Sequence, residues 1–529
     1  MSDPRVAYFC MEYGLSHELT IYSGGLGVLA GDFMKSCGDL GAPVTGIGIL
    51  WDEGYTNQTI ENGAPADSYA PTRRDALVPV AAELSVTLSG EEVPLRAHRV
   101  TRYTEASLFL LEPKLDRHRW ITRRLYSGGP EHRVAQEIVL GVGGVRLLRA
   151  LGIETDVYHF NEGHAVFAGH ELLREERAAG ASFEQAWESV RKRIVFTTHT
   201  PVAAGNESHK LPLLTRCGAT LGLSSRELER LGGRPYGMTV AGLRLSRKTN
   251  AVAQLHGETS RAMWRDVDGA APIIAITNGV HPGTWQDERI RSAGTDADAL
   301  WAAHRAAKQE LVADIAERGG ARLDADGLIV GFARRAATYK RSDLILRDPA
   351  RLQKLFGAGV QLVFSGKAHP RDTEGKRIIA KIYAATKRWP RNVVFLENYD
   401  MEIGAALTRG CDVWLNNPLR PMEASGTSGM KAAMNGVLNC SILDGWWPEG
   451  CRHGVTGWRI EADHSGASTE AEIDRRDRDA LLDVLENDVL PVFRGPKPRW
   501  AAMMRASIAM SAQFSTERMV REYFEKLYA

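Results

Sequence analysis

A glycine-rich stretch, EASGTSGMKAAMNG (423–436), places small polar residues directly before a segment whose pattern predicts a helix. Free backbone N–H groups converge at such a junction, which is typical of an anion site. One amine, Lys431, lies at the start of the predicted helix, between Met430 and Ala432. The stretch therefore predicts an anion-binding loop beside a lysine.

A second candidate anion site is the basic run in GFARRAATYKRSDLIL, which contains Arg334, Arg335, Lys340 and Arg341. Basic runs are often solvated surface, and that alternative stays open here. The run follows a predicted strand, however, and open α/β sheets bind ligands at the carboxyl ends of their strands. Cations at that position suit a phosphate or a phosphate ester.

A third stretch, IYSGGLGVLAGD (21–32), has Gly24, Gly25 and Gly27 soon after the first predicted strand. Adjacent glycines before a helix let a ligand approach the backbone closely. A tight turn without a ligand is the alternative interpretation. Because these glycines lie in the first βα turn of the predicted domain, the ligand-binding interpretation is favoured.

Polar residues in three further motifs suit a polyol ligand. HFNEGHAVFAGH contributes Glu162 and His164, FTTHTP contributes His199, and ITNGVHPGTW contributes Asn278. The histidine spacing is not that of a zinc protease, so we predict no metal site. Acceptors and amides at strand ends match sugar hydroxyl groups, although each residue could instead cap a loop.

Composition and missing motifs exclude several classes of protein. The 529 residues exceed one hydrophobic core, and the net charge of +1, from 66 basic and 65 acidic residues, does not favour nucleic-acid binding. No secretory signal or membrane-spanning run is evident. The six cysteines form no C-x-x-C pair, which favours a cytoplasmic location. Nucleophile-elbow and P-loop motifs are missing, and the dinucleotide fingerprint is met only in its looser form.

The motifs must be positioned by alternating strands and helices. Predicted strands lie at 6–10, 44–50, 157–160, 193–199 and 273–279, and a second series lies at 328–334, 360–366, 392–398, 411–417 and 436–443. Residues 286–325 are helical in pattern and are interpreted as a bridge, and helical patterns return from about 475. This order predicts an α/β protein with two doubly wound domains and a cleft between them.

Eight collinear motifs resemble those of the glycogen and α-glucan phosphorylases in their compact bacterial and archaeal form. They are IYSGGLGVLAGDFMKSCGDLG, NEGHAVFAGHELLRE, FTTHTPVAAGNE, ITNGVHPGTW, GFARRAATYKR, FSGKAHPRD, FLENYDME and EASGTSGMKAAMNG. The resemblance runs from residue 6 to about residue 460 and more weakly to the end.

The resemblance implies two Rossmann-like doubly wound domains facing a central cleft, the glycosyltransferase-B fold. The N-terminal domain, 1–325, would carry glucan-binding residues and the phosphate loop. The C-terminal domain, 326–529, would carry pyridoxal 5′-phosphate (PLP), and its terminal helices would pack back toward the N-terminal domain.

The activity implied is phosphorolysis of terminal α-1,4-linked glucose from a glucan, giving α-glucose 1-phosphate with retention. In this family PLP is tethered by a Schiff base, and Lys431 lies at the matching position. The cofactor's phosphate, rather than its ring, takes part by exchanging a proton with the substrate phosphate. A glycosidase-like carboxylic acid is therefore not required.

Site residues are carried over by position. The catalytic set implied is Arg335, Lys340, His199 and Lys431. The cofactor-binding set is Lys431, Thr427, Ser428, Arg334, Trp285 and Tyr399. The substrate-binding set is Gly24, Gly25, Leu26, Glu162, His164, Asn278, Glu423, Ser425 and Gly426. Within these sets, Arg335 and Lys340 would clamp the substrate phosphate, and the carbonyl of His199 could stabilise positive charge at the anomeric carbon.

Several positions differ from the larger phosphorylases. Arg334 replaces a lysine, and Glu162 replaces an aspartate. Asp400 follows ENY, where an arginine helps to hold the cofactor phosphate, so we expect Asp400 to turn away or to pair with a cation. The pair Trp446 and Trp447 has no counterpart there, and it could stack on a glucan or pack in the core.

Two rival functions stay open from the sequence. One is a nucleotide-sugar-dependent glucan glycosyltransferase, which would not need Lys431. The other is a catalytically inactive glucan-binding protein, against which Arg335, Lys340, Glu423 and Lys431 argue. The partners implied are an α-glucan or maltooligosaccharide, inorganic phosphate and glucose 1-phosphate, with a homodimer left open and neither nucleic acid nor membrane expected.

Overall fold

A computed structural model describes residues 3–202, 205–319 and 322–529 of the chain. Its strands are β1 (Val6–Phe9), β2 (Val44–Ile49), β3 (Asn57–Glu61), β4 (Ala64–Ser68), β5 (Leu77–Leu88), β6 (Glu91–Val100), β7 (Ser107–Pro113), β8 (Val157–Asn161), β9 (Ile194–Thr197), β10 (Ser208–His209), β11 (Tyr236–Gly237), β12 (Lys248–Ala251), β13 (Ile273–Ala275), β14 (Leu328–Ala333), β15 (Val360–Ser365), β16 (Val393–Leu396), β17 (Val413–Asn416), β18 (Leu438–Ile442) and β19 (Gly457–Ile460).

The α-helices of the same ranges are α1 (Gly25–Asp39), α2 (Pro130–Ile138), α3 (Gly144–Ala150), α4 (Phe167–Ala178), α5 (Phe183–Arg191), α6 (Leu211–Cys217), α7 (Ser225–Gly232), α8 (Met238–Leu245), α9 (Gln254–Met263), α10 (Pro282–Trp285), α11 (Glu288–Ala293), α12 (Ala297–Glu317), α13 (Pro349–Gly357), α14 (Thr373–Arg388), α15 (Met401–Gly410), α16 (Thr427–Met434), α17 (Trp447–Gly450), α18 (Glu470–Val484), α19 (Leu490–Arg494), α20 (Lys497–Ser511) and α21 (Thr516–Glu522). The α/β prediction is thereby confirmed.

The chain divides into two compact units. The first unit comprises Met1–Tyr55, Tyr69–His281 and Thr516–Ala529, and the second comprises Thr56–Ser68 and Pro282–Ser515. The observed division after residue 281 lies earlier than the predicted one after residue 325. The final fourteen or so residues group with the first unit, whereas the helices just before them belong to the second.

The first unit is built on one mixed sheet. Its strand order in the described ranges is β13–β12–β9–β8–β1–β2–β7–β6–β5, and only the pairings that involve β6 are antiparallel. Helix α1 approaches the loop after β1 so closely that a Cβ on Gly31 would lie 2.0 Å from the carbonyl oxygen of Gly14. This contact fixes the helix that follows the glycine turn.

The C-terminal segment is attached to the first unit by polar contacts. The hydroxyl groups of Ser36 and Thr516 lie 2.6 Å apart, and the Tyr528 hydroxyl lies 2.8 Å from Nδ1 of His159. Tyr528 is also buried in the hydrophobic core of this unit. The segment therefore completes the core formed by the N-terminal residues.

The second unit contains a parallel sheet whose order in the described ranges is β16–β15–β14–β17–β18–β19. Strands β14, β15 and β17 are buried along their whole length. Helices cover both faces of such a sheet, which explains the nearly continuous apolar runs in its strands.

In its described part, the segment 286–325 contains helices α11 and α12, as predicted, but it is part of the second unit rather than a bridge. Leu300 of α12 packs in the main core of that unit. Lys308 and His304 on the same helix both contact the buried carboxylate of Asp412, at 2.6 Å and 3.0 Å. Charged residues had made α12 resemble a solvated linker, yet part of that charge is paired internally.

Two further sequence-based expectations concern membranes and thiols. None of the described helices combines the length and the apolar character needed to cross a bilayer. The six cysteines are free thiols, and five of them are buried.

Candidate active site

The candidate site residues gather where the order of strands reverses along each sheet. This reversal lies between β1 and β8 in the first unit and between β14 and β17 in the second. Ligands of open α/β sheets bind at the carboxyl ends of the strands at such a point. The loops after these four strands carry most of the predicted residues, and each unit is described separately below.

In the second unit, two cations of the basic run contact one carboxylate. Arg334 Nη2 lies 2.6 Å from Glu423 Oε2, and Lys340 Nζ lies 2.7 Å from the same oxygen and 3.0 Å from Oε1. The three side chains are at most 10% exposed. Arg334 follows β14 directly, whereas Glu423 lies in the loop after β17, so the fold joins two distant sequence motifs.

Burial and charge act in opposite directions on Glu423. Burial favours the neutral carboxyl group, but the charges of Arg334 and Lys340 outweigh it and lower the pKa to about 2. Glu423 is therefore ionised at neutral pH and acts only as a hydrogen-bond acceptor. The cluster carries one net positive charge from these three groups, which suits an anion.

Unsatisfied polar atoms make this cluster a candidate ligand site. Nη1 of Arg334 and Oγ of Ser425 are buried and have no hydrogen-bond partner in the described chain. Buried polar groups are usually paired, so each such atom requires an explanation. A bound anion or polyol would supply the missing partners.

The other two cations of the run differ from this pair. Arg341 is buried, and it donates to the carbonyl oxygens of Asn417 and Pro418 at 2.9 Å while also contacting Asp474 and Asp477. It holds the loop together and is not available to a ligand. Arg335 is exposed, which leaves its guanidinium accessible to solvent.

Lys431 lies on α16, which begins directly after Gly426. Gly426 has a φ of +87°, a left-handed conformation that glycine adopts without strain. The Lys431 side chain is buried, and its Nζ lies 3.5 Å from the centroid of the Trp285 ring. A buried amine over an indole face makes a cation–π contact.

Side chains of the neighbouring strands β17 and β18 hold the helix that bears Lys431. Oγ of Ser428 accepts a hydrogen bond from Nε1 of Trp414 at 3.2 Å, and Nδ2 of Asn439 donates to the carbonyl oxygen of Gly429 at 2.9 Å. A Cβ on Gly429 would lie 2.6 Å from Oδ1 of Asn439. The glycine at 429 is thus required by close packing.

The tryptophan pair packs in the protein and is not a sugar platform. Trp446 and Trp447 are 3% and 1% exposed, and their ring centroids are 5.1 Å apart. Trp446 also meets Phe514 edge-on at 4.7 Å. Of the two alternatives drawn from the sequence, core packing is the one observed.

Asp400 turns toward its own helix. Its Oδ1 accepts a hydrogen bond from the backbone N–H of Ile403 at 2.9 Å, which makes it the N-cap of α15. Nearby, burial lowers the pKa of Lys367 to about 8, an effect that the charge of Asp400 opposes. Burial, with a contribution from Asp400, raises the pKa of the preceding Tyr399 to about 12.

In the first unit, the glycine turn precedes α1. Gly24 is the N-cap and Gly25 the first helical residue, and a Cβ at either position would have open space within 4 Å. The glycines leave the backbone accessible on this side. The N–H of Gly24 donates to Oε2 of Glu12 at 3.3 Å, a contact that the sequence did not predict.

Two predicted sugar-binding residues meet at the ends of β8 and β9. Glu162 adopts a φ of +75°, and its Oε2 accepts hydrogen bonds from the His199 N–H at 2.8 Å and from Thr200 Oγ1 at 3.2 Å. His199 Nε2 lies 2.7 Å from Oδ1 of Asn161. The contacts fix both side chains in one orientation.

The histidines of this group are neutral. Burial lowers the pKa of His199 to about 3 and that of His164 to about 3. Nδ1 of His164 and Oδ1 of Asn278 are buried and lack partners among the described residues. Neutral side-chain atoms that lack hydrogen-bond partners are suited to the hydroxyl groups of a sugar.

Sequence reasoning missed a polar cluster next to His164. One carboxylate oxygen each from Glu137 and Glu207 and one ring nitrogen of His209 lie within 4.8 Å of one another, a grouping that could hold a metal ion. Arg133 lies 3.0 Å from Glu207, so a cation already balances part of this charge. Glu207 and His209 are two positions apart, but Glu137 lies 72 positions before His209, so local spacing could not have revealed the cluster.

The fold and these groups together define an α/β protein with candidate anion- and polyol-binding residues at the carboxyl ends of its strands. A family model described as Carbohydrate phosphorylase matches residues 289–447. The maltodextrin phosphorylase of Thermococcus litoralis is 39% identical, over 99% of this chain and 70% of that protein. The glycogen phosphorylase of Mycobacterium bovis is 37% identical, over 99% of this chain and 70% of that protein. The glycogen phosphorylase of Aquifex aeolicus is 35% identical, over 99% of this chain and 86% of that protein. The chain belongs to the carbohydrate phosphorylase family, among the glycogen and α-glucan phosphorylases.

Proposed function

We propose that this protein catalyses phosphorolysis of terminal α-1,4-linked glucose from an α-glucan or maltooligosaccharide, giving α-glucose 1-phosphate with retention. The observation that carries the proposal is the buried cluster of Arg334, Lys340 and Glu423, which combines phosphate-binding cations with a sugar-binding carboxylate. Relatives that span 99% of the chain are named maltodextrin or glycogen phosphorylase.

We further propose that both units are Rossmann-like and form the glycosyltransferase-B fold. In the second unit the strands, numbered along the chain, occur in the order third, second, first, fourth, fifth and sixth. That is the order of a doubly wound dinucleotide fold. The parallel part of the first sheet follows the same rule around β1.

PLP is the cofactor that the second unit fits. The unpartnered Nη1 of Arg334 offers a donor for a phosphate group, and the buried Lys431 offers an amine. Thr427 and Ser428 would hold the cofactor phosphate at the start of α16, and Trp285 and Tyr399 would line the ring. When bound, this group supplies a phosphate that can exchange a proton with the substrate phosphate.

The chain's own residues would bind and orient the substrates. Arg335 and Lys340 would hold inorganic phosphate, with the backbone N–H groups of Gly25 and Leu26 in the glycine turn as further donors. The Gly24 N–H donates to Glu12 instead, so Gly24 would shape the turn rather than bind phosphate through its N–H. Lys340 then stays close to Glu423, which keeps that carboxylate ionised. An ionised carboxylate accepts hydrogen bonds from glucose hydroxyl groups, a role that Ser425 and Gly426 would share.

The neutral polar group of the first unit would complete sugar recognition. Glu162, His164 and Asn278 would bind hydroxyl groups, and the His199 carbonyl would face developing positive charge at the anomeric carbon. Because burial keeps the His199 side chain neutral, it is suited to hydrogen bonding rather than to proton transfer at neutral pH. We also propose that the protein acts in the cytoplasm, on the basis of its unpaired cysteines.

The test is an assay of phosphate release from α-glucose 1-phosphate with a panel of maltooligosaccharide acceptors. Chain extension with release of phosphate, dependent on added PLP, is expected. Transfer from a nucleotide sugar instead, with no use of glucose 1-phosphate, would overturn the proposal. Glucan binding with neither reaction would identify an inactive binding protein.

A further inference from the structure

A carboxylate that the sequence analysis did not single out lies directly under the glycine turn. Glu12, in the loop after β1, is 2% exposed. We propose that Glu12 is a positioning residue, which holds this turn in the shape that presents the Gly25 and Leu26 N–H groups to the substrate phosphate. The inference rests on the proposed function, because the ligand is the phosphate of that reaction.

The contacts on one oxygen of Glu12 define the shape of the turn. Oε2 accepts hydrogen bonds from the Ser23 N–H at 2.6 Å, the Ser23 hydroxyl at 3.0 Å and the Gly24 N–H at 3.3 Å. Two consecutive N–H groups of the turn therefore point inward, toward the protein.

The next N–H groups are left for a ligand. The first helical hydrogen bond is that of the Val28 N–H to the Gly24 carbonyl oxygen, at 3.1 Å. The N–H groups of Gly25 and Leu26 precede it in the first turn, where a helix provides no internal acceptor. No acceptor for either group occurs in the described chain. The N–H groups of Ser23 and Gly24 therefore donate to Glu12 within the protein, whereas those of Gly25 and Leu26 are available to a ligand.

Close packing shows that this arrangement is built into the sequence. A Cβ on Gly27 would lie 2.6 Å from Oε2 of Glu12, so only glycine lets the carboxylate approach the turn. At Gly24 and Gly25, by contrast, a Cβ would meet nothing within 4 Å. The Glu12 carboxylate requires glycine at position 27, whereas Gly24 and Gly25 leave open space where a ligand could approach the backbone.

The second oxygen of Glu12 ties the turn to another segment. Oε1 accepts a hydrogen bond from the Tyr126 hydroxyl at 2.7 Å. Tyr126 has a φ of +58°, an uncommon conformation for a residue with a side chain. Its ring centroid lies 5.9 Å from that of His164, one of the proposed sugar-binding residues. Glu12 is therefore anchored from both sides and cannot rotate freely.

The experiment measures KM for inorganic phosphate and KM for a maltooligosaccharide separately, in Glu12→Ala, Glu12→Gln and Tyr126→Phe. Glu12→Ala should raise the phosphate KM by about ten-fold or more, because three hydrogen bonds to the turn are lost. The maltooligosaccharide KM should change much less. Glu12→Gln keeps an acceptor oxygen for the turn and should recover most of the phosphate affinity.

A second carboxylate–tyrosine pair of the same unit is the matched control. The Tyr103 hydroxyl donates to Glu18 at 2.9 Å, and in the described chain neither residue hydrogen-bonds to Ser23 or Gly24. Glu18→Ala and Tyr103→Phe should leave both KM values unchanged, whereas Tyr126→Phe should raise the phosphate KM by a few-fold.

Each outcome decides the inference. If Glu12→Ala folds poorly, Glu12→Gln and Tyr126→Phe still report on the phosphate KM. Equal changes in both KM values, or a phosphate KM unchanged within two-fold in all three variants, would overturn the positioning role. Failure of the unsubstituted protein to form glucose 1-phosphate would overturn the proposed function, and this inference with it.

Discussion

Glu423 is the residue at which burial and charge compete most directly. Its pKa is lowered to about 2 because Arg334 and Lys340 outweigh the effect of burial. A glutamate side chain in the unfolded chain has a pKa of about 4.3. Between this pH and about pH 2, the folded state therefore binds fewer protons than the unfolded state. The contribution of Glu423 to stability is complete above the unfolded pKa and is lost as the pH falls toward about 2.

We therefore expect Glu423→Gln to weaken the pH dependence of stability between about pH 5 and pH 3. Urea unfolding at several pH values measures it, with Glu402→Gln, an exposed carboxylate of the same unit, as the control. A pH slope in Glu423→Gln equal to that of the unsubstituted protein would show that the ion pairs do not stabilise the folded state.

Lys431 is the residue on which cofactor attachment depends. Lys431→Ala should fold but lose covalently bound PLP, because the buried amine over Trp285 is removed. Absorbance and borohydride reduction followed by mass analysis measure the loss, with the exposed Lys354→Ala as a control. PLP that could still be reduced onto the protein of the Lys431 variant would show that another amine holds it.

Arg335 should act on phosphate and not on the cofactor. Arg335→Ala removes an exposed guanidinium that can grip phosphate at two points, so phosphorolysis should fall by about 10²-fold or more while PLP stays bound. Initial rates at varied phosphate measure the effect, and the exposed Arg391→Ala serves as a control. An unchanged dependence on phosphate would exclude the role.

Local motifs predicted the candidate residues but not their pairings. The basic run and the glycine loop were recognisable because each is continuous in sequence. The contact of Glu423 with Arg334 joins residues 89 positions apart, and that of Glu12 with Tyr126 joins residues 114 positions apart. Such pairings arise from strand order, which spacing within a motif does not encode.

At the scale of elements, Asp400 has a local role in α15. As the N-cap it accepts the Ile403 N–H, so Asp400→Ala should lower the free energy of unfolding by about 1 kcal/mol. Asp400→Asn should retain most of the capping. Chemical denaturation measures both.

The same variants test whether Asp400 interacts with the cofactor. PLP occupancy, followed by absorbance, should be equal in Asp400→Ala, Asp400→Asn and the unsubstituted protein. A change in PLP affinity in Asp400→Asn, which keeps the cap but removes the charge, would show that the carboxylate interacts with the cofactor after all.

The strands that the sequence did not predict have identifiable reasons. β12 is short and polar, with Thr249 and Asn250 fully buried and hydrogen-bonded. β5 is an edge strand that is partly exposed and contains Pro79. Proline and mixed exposure hide a strand from pattern analysis. The apolar parallel strands were predictable because both faces are covered.

At the scale of the whole molecule, the units are formed from discontinuous segments. Residues 56–68 belong with the second unit and 516–529 with the first, although sequence position suggests otherwise. The predicted α/β alternation was nevertheless sufficient to foresee a chain of more than one unit.

The proposed function requires that inorganic phosphate cleave an α-1,4-glucan on this protein with retention. The most direct measurement is ³¹P NMR of the purified, PLP-loaded protein incubated with a maltooligosaccharide and inorganic phosphate. We expect the phosphate signal to decrease while the signal of α-glucose 1-phosphate increases in equal amount, and we expect Lys431→Ala to produce no glucose 1-phosphate. The appearance of β-glucose 1-phosphate, or of free glucose with the phosphate signal unchanged, would contradict it.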